Sequence, residues 1–335
     1  MPTSTHVPAV PHARPAVAER RVVARAEAEG IRLGSALTAR EAPAFARAIS
    51  RLLERAPARI LVDLTDVRIT DAVGLAALLQ SAERARERGV GVAVRAGRPV
   101  RQDLIDAHIV DVVPLVSPRP WMFAPPDDAS AESLAREPII VAETSALRLR
   151  VPEREDLALF RGWADDRELA RLVGSELLYR CRHLGAHDPG FGSELLHDPT
   201  SLTVLLESAG PPAAPGGFLR LYGIHLAQQF AFLEVAVTSR EATRRGLGIA
   251  ASRLLVAYAW DVLRLRRIEA KAFAYNRPSV NALRRNGFQQ EGVLRHGVVE
   301  DGTPWDVLIF SILEPEMRAQ RTRERFRSMD LWRSE

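Results

Sequence analysis

The sequence predicts an α/β (α+β) protein built from two units, and three observations carry that expectation. Apolar runs of strand length alternate with helical periods between Gly30 and Val116. Three strand-like runs follow one another without an intervening helix between Ser201 and Val237. A Pro-rich stretch from Ser117 to Glu137 separates the two patterns. At 335 residues the chain is also longer than one ordinary domain.

Residues 1–25 are rich in Pro and Ala without a hydrophobic period and read as a disordered lead. The first unit, 26–117, then takes shape element by element. Ala42 to Glu54 has apolar residues at helical spacing, Ile60 to Leu64 reads as a buried strand, and Gly74 to Arg88 as a second amphipathic helix. Gly91 to Arg95 gives another strand, Val100 to Ala107 a short helix, and Val110 to Val116 closes the unit. Pro118, Pro120, Pro125 and Pro126 mark 118–140 as a linker.

The second unit spans 141–316. Leu147 to Val151 is its first expected strand, followed by helices over Asp156 to Ala164 and Arg167 to Leu172, and then by an irregular stretch from Leu178 to Thr200. Ser201 to Glu207, Gly217 to Gly223 and Gln229 to Val237 form an antiparallel set broken by a Pro- and Gly-rich turn. A strand over Arg267 to Ala274 comes later. An Arg-rich tail, 317–335, reads as a solvated helix docking its aromatic residues.

Composition narrows the function. With 47% hydrophobic and 26% charged residues the chain is ordinary globular material, and a net charge of +4 spread over 335 residues argues against nucleic acid as a partner. No apolar run approaches the roughly 18 residues that span a bilayer, so neither membrane nor export is expected and the cytoplasm is the expected compartment. Cys181 is the single cysteine, which excludes an internal disulfide; its spacing from His183, His187 and His197 fits no standard zinc pattern, and no metal is expected.

The chemistry concentrates between Glu234 and Ala251. Gly246 and Gly248 stand where a helix begins, so a ligand can approach the backbone there and meet the first unpaired amides with the positive end of the helix dipole behind them. Such a turn seats phosphate, and Arg244 and Arg245 add guanidinium donors shaped for the same anion. Taken alone, a Gly-x-Gly turn into a helix also arises from tight packing.

Its neighbours give it a context. Leu149-Arg150 with Asp156, the Arg-Arg-Gly-Leu-Gly-Ile-Ala turn, Asn276-x-x-Ser279, Asn286-Gly-Phe288 and Asp301-Gly-x-x-x-Asp306 occur in an order that resembles the GNAT acetyltransferases, in particular the branch that acetylates N-termini of ribosomal proteins. The resemblance implies a central mixed, mostly antiparallel sheet splayed for acetyl-CoA or another acyl-CoA as co-substrate. Val235 and Val237 would pair with the pantetheine arm, and amides from about Arg245 to Ala250 would hold the pyrophosphate. Asn276 would bind pantetheine or cap a helix. Glu234 is the expected base, with a salt bridge or a charge at a sheet edge as the alternative, and Ser279 the expected proton donor, because Leu283 occupies the place of the usual tyrosine. The acceptor would be a primary amine of a protein N-terminus or a small molecule. Lys271 is the chain's single lysine, hence the one internal lysine that self-acetylation could reach.

In the first unit, Val62-Asp-Leu-Thr-Asp-Val followed by Asp71-x-x-Gly-Leu75 resembles the STAS domains of anti-sigma-factor antagonists, which implies a mixed sheet with helices and a docking or self-association surface. Where regulatory members carry a phosphorylated serine this chain has Ala72, so that switch has no hydroxyl; Thr65 and Thr70 read as capping residues. The alternative function is a non-catalytic regulator whose STAS-like unit binds a partner and whose GNAT-like unit senses, or has lost, acyl-CoA.

Overall fold

The computed structural model describes residues 25–27, 30–116, 137–184, 191–208, 215–321 and 327–328. All of the expected lead but Arg25, most of the linker, most of the Pro-rich turn, His187 and most of the tail lie outside these residues. Among the described residues no helix is long and apolar enough to cross a membrane.

The first unit runs β1 (Arg25–Glu27), β2 (Gly30–Arg32), β3 (Ala36–Leu37), α1 (Ala42–Leu53), β4 (Arg59–Leu64), β5 (Ile69–Thr70), α2 (Ala72–Glu87), β6 (Gly91–Ala96), α3 (Arg98–Asp106) and β7 (Leu115–Val116). Its sheet has the order β1-β2-β4-β6-β7, antiparallel at β1–β2 and parallel elsewhere. α1 forms because Phe45, Ala46, Ile49, Leu52 and Leu53 fall on one buried face and Pro43 occupies its first turn. The closing segment is a 3-10 turn, Ile109–Asp111, followed by a two-residue strand.

α2 departs from expectation more instructively. It is not amphipathic: every residue from Ala72 to Ala82, and Ala85, is buried. A helix buried all round needs a partner on each side. α1 and β6 supply one; the second unit supplies the other.

That unit contains β8 (Ile140–Glu143), β9 (Leu147–Arg150), α4 (Leu157–Asp165), α5 (Arg167–Val173), α6 (Glu176–Leu184), α7 (Phe191–Leu196), β10 (Leu202–Ser208), β11 (Gly217–His225), β12 (Phe230–Val237), α8 (Arg240–Arg244), α9 (Leu247–Asp261), β13 (Arg267–Phe273), α10 (Arg277–Arg285), β14 (Gln289–Glu300), β15 (Thr303–Leu313), α11 (Glu314–Arg321) and β16 (Arg327–Ser328). The sheet order is β14-β15-β13-β12-β11-β10-β9-β8-β16, antiparallel except for the pair β12–β13. The stretch expected to be irregular holds α6 and α7. Leu177, Leu178, Cys181, Phe191 and Leu195 bury against Phe160 and Phe218, and that packing overrides the loop-like composition.

α9 packs on one face of this sheet and, on its outer side, meets the first unit. Gln80 Nε2 donates to the Val262 carbonyl at 2.7 Å, both groups buried, and the rings of His108 and His225 stack with centroids 3.9 Å apart. One apolar cluster runs through both units, from Ile31 and Leu75 to Leu254 and Ile312.

Candidate active site

The site begins where two strands part. β12 and β13 pair in parallel from Phe230↔Arg267 to Leu233↔Ala270 and no further. Each stays fixed on its far side: β12 to β11 as far as Val237↔Gly217, and β13 to β15 as far as Phe273↔Val307. The edges facing the gap therefore carry backbone groups that no strand satisfies, beginning at Glu234 on one side and Lys271 on the other. Val235 and Val237 stand on the β12 edge of this gap, both half-buried.

At the open end lies the start of α9. Gly246 is its N-cap at φ 67°, and nothing stands within 4 Å of where a Cβ would project. The glycine is required by the left-handed backbone and not by crowding. Gly248 has the opposite reason: a Cβ there would come within 2.6 Å of Val237 Cγ2, so its absence lets α9 approach the end of β12. The amides of Ile249 and Ala250 bond the Gly246 carbonyl, and the first amides of the helix remain for an anion. Arg244 is exposed; Arg245 is half-exposed in a 3.4 Å ion pair with Glu241, itself largely exposed, an interaction weak enough to yield to a phosphate.

Glu234 is recessed at the fork. Its Oε1 is buried without a hydrogen-bond partner among the described residues. Burial pushes the carboxyl above the usual range, and the nearby Ser175 hydroxyl and Arg220 guanidinium pull it partly back. Arg220 is itself held by Asp198 and Ser201, each at 3.2 Å.

The far side of the gap is clamped by the corner between α5 and α6. Gly174 ends α5 at φ 59°, and a Cβ there would come within 2.5 Å of the Phe273 ring. Tyr275 donates its hydroxyl to the Arg171 carbonyl at 2.6 Å, and Asn276 donates Nδ2 to the Leu172 carbonyl at 2.8 Å. Asn276 Oδ1 accepts from the Ser279 amide at 3.1 Å, so this side chain caps α10 and pins α5 at once. Ser279 lies half-exposed in the first turn of α10, and Leu283 is buried one turn on.

Two supports complete the frame. Arg150 grips Asp156 with two parallel bonds of 2.5 and 2.8 Å and Glu207 with a third of 2.7 Å, tying β9 to the start of α4 and to β10. Asn286 donates to the Ile249 carbonyl at 3.1 Å and accepts from Arg253 at 2.9 Å, tying the end of α10 to the first turn of α9. Cys181 is buried, which pushes its thiol up to about 11.

The structure thus brings Glu234, Val235, Val237, Gly246, Gly248 and Ala250 to one gap and its mouth, with Arg244 and Arg245 preceding the turn and Asn276 and Ser279 heading the helix after β13. Sequence reasoning missed Gly174 and Ser175. Their signal was present: a glycine after one helical period and a serine before the next mark a C-cap followed by an N-cap, and Ser175 Oγ does accept from the Leu178 amide.

Comparison with known proteins agrees with this architecture. Residues 21–115 match the family model described as Mlab, STAS domain, and residues 146–289 the one described as acetyltransferase (GNAT) domain. The chain therefore carries an STAS domain followed by a GNAT acetyltransferase domain. Among curated relatives, the uncharacterized N-acetyltransferase YoaA of Bacillus subtilis is 39% identical over 72 residues, 22% of this chain and 41% of that protein. The putative ribosomal N-acetyltransferase YdaF of the same species is 31% identical over 83 residues, 25% and 45% of the respective chains. The chain spans less than half the length of either relative. Among solved structures, spermidine N-acetyltransferase from Vibrio cholerae in complex with CoA and spermine is 21% identical, covering 52% of this chain and 99% of that one with a TM-score of 0.45.

Proposed function

We propose that the protein is an acyl-CoA-dependent N-acyltransferase, moving an acetyl group from acetyl-CoA to a primary amine of a protein N-terminus or small molecule in the cytoplasm. The observation that carries this reading is the strand pair that stops at Leu233↔Ala270, opening a gap between a recessed carboxylate and the left-handed glycine that starts α9. The pantetheine arm lies along the free edge of Val235 and Val237, and the pyrophosphate rests on the start of α9 between Arg244, Arg245 and Ala250. When bound, acyl-CoA supplies the activated thioester.

The residues of the chain then divide the remaining work. Glu234, directly or through water, takes a proton from the ammonium so that a neutral amine can attack. A backbone amide near Val237 faces the oxyanion that develops. Ser279, or solvent, returns a proton to the departing thiolate. Asn276 positions α10 and with it Ser279.

The STAS domain acts in this reading as a wall behind α9. Its α2 is buried all round from Ala72 to Ala82, which supports a structural role for that helix. The competing reading is a non-catalytic regulator whose STAS domain binds a partner and whose GNAT domain senses, or has lost, acyl-CoA; it is favoured by Leu283, which cannot donate a proton where a tyrosine is usual. Calorimetric titration with acetyl-CoA and longer acyl-CoAs, followed by release of free CoA in the presence of amines, tests the reading. Micromolar binding with amine-dependent CoA release is expected; binding without release from any amine would favour a sensor.

A further inference from the structure

The gap that would hold the thioester is flanked by an amine belonging to the chain itself. We propose that Lys271 is a self-acetylation site: its Nζ takes the acetyl group from acetyl-CoA held between β12 and β13, with Glu234 receiving the proton. The proposal rests on the acyl-CoA reading above.

Four observations place Lys271 there. It is the first residue of β13 beyond the last parallel pair, and extending that register by one position sets it opposite Glu234. Its backbone is fixed on the other side by pairing with Ile309. Ile268, Ala270 and Ala272 are buried toward α9, so alternation turns Lys271 to the same face as Phe232 and Glu234. Its Nζ lies 6.0 Å from the centroid of the Phe232 ring, two residues before Glu234 on the neighbouring strand.

Its surroundings leave the amine accessible. Lys271 is exposed, and among the described residues no carboxylate forms an ion pair with it. Glu269, its neighbour on the same face, is taken by Arg267 at 2.8 Å, and Arg267 also takes Glu291. The Phe232 ring, stacked on Tyr222, offers the ammonium a π face that holds it without neutralising it. A flexible four-carbon stem lets it swing from that ring to the thioester carbon.

The step balances without another reactant. The Lys271 ammonium gives one proton to the Glu234 carboxylate, and its nitrogen attacks the acetyl carbonyl. The new C–N bond forms, the C–S bond breaks, CoA leaves as a thiolate that takes up a proton, and the nitrogen sheds its second proton to become an amide. The product replaces a cation at the mouth of the gap with a neutral acetamide, so the modification changes the charge that an incoming amine meets.

With a single lysine in 335 residues the result is easy to read. The full chain is incubated with acetyl-CoA at two protein concentrations and followed by intact mass and peptide mapping, beside a calorimetric titration of acetyl-CoA. One acetyl group on Lys271 is expected, at a rate independent of protein concentration, about a hundredfold slower in Glu234→Gln and absent at that position in Lys271→Arg. Retained acetyl-CoA affinity in both variants shows that they fold. If acetyl-CoA binds but Lys271 stays unmodified, or is modified equally fast in Glu234→Gln, self-acetylation is overturned and the acyltransferase reading stands. If acetyl-CoA does not bind, both fall together.

Discussion

Gln80 and Val262 lie 182 positions apart in sequence and 2.7 Å apart in space, joined by a buried hydrogen bond from a side-chain amide on α2 to a carbonyl at the end of α9. The bond crosses between the STAS and GNAT domains. Gln80→Leu removes the donor and leaves a buried carbonyl unsatisfied, at a cost of about 1–3 kcal/mol. Denaturant unfolding should show a lower midpoint with one shared transition for both domains, since one apolar cluster joins them.

The two glycines of the phosphate seat should answer differently to substitution. Gly246→Ala meets open space and costs only the left-handed backbone, about 1–2 kcal/mol. Gly246→Asp places a carboxylate at the anion seat and should abolish acetyl-CoA binding in a calorimetric titration. Gly248→Ala must displace Val237 or tilt α9, so affinity and stability should fall together.

Glu234→Gln should lower turnover by about 10²–10⁴-fold while leaving acetyl-CoA affinity near the parent value. Because burial raises this carboxyl above its ordinary 4.5, the active, ionised form appears only at higher pH. Turnover in the parent should therefore rise with pH along a limb placed above the usual carboxylate range. Stopped-time assays across pH should show that limb missing in the variant.

Asp71 gives the opposite sign for stability. Enclosed at the start of α2, it accepts from the amides of Gly74 and Ala39, both at 2.8 Å, yet burial pushes its carboxyl from 3.8 to about 6. The folded state prefers the protonated acid, so this contribution is present below pH 3.8 and is lost as pH rises toward about 6. The loss amounts to about 3 kcal/mol. Unfolding titrations between pH 4 and 6 should show that decline, and Asp71→Asn should flatten it.

Much of this was legible because it depends on local rules. Asp301-Gly302 forms the β14–β15 turn with both residues at positive φ, as the pair dictates. The Gly246-Leu-Gly248 turn announced a helix start. The double burial of α2 also left a trace, since Ala72 to Leu79 is apolar all round; periodicity alone reports one face and says nothing of a second partner. The caps at Gly174 and Ser175 were legible, but the role of that corner was hidden because it lies in Phe273 and Glu234, residues far along the chain. Thr70, read as a cap, is buried and donates to Asp103 at 2.6 Å, while Thr65 donates to Asp63. Both hydroxyls already face a carboxylate, a poor setting for an added phosphate.

The shared core changes how the chain should be handled at the bench. A fragment ending before the second unit would bare the side of α2 that carries Gln80, and one beginning after the first would bare the outer side of α9 around Tyr258 and Val262. Either piece would present to water a surface made to be dry, and would adhere to whatever apolar material it met. Bait made from one domain would therefore report its own stickiness, and genuine partners are better sought with the uncut protein.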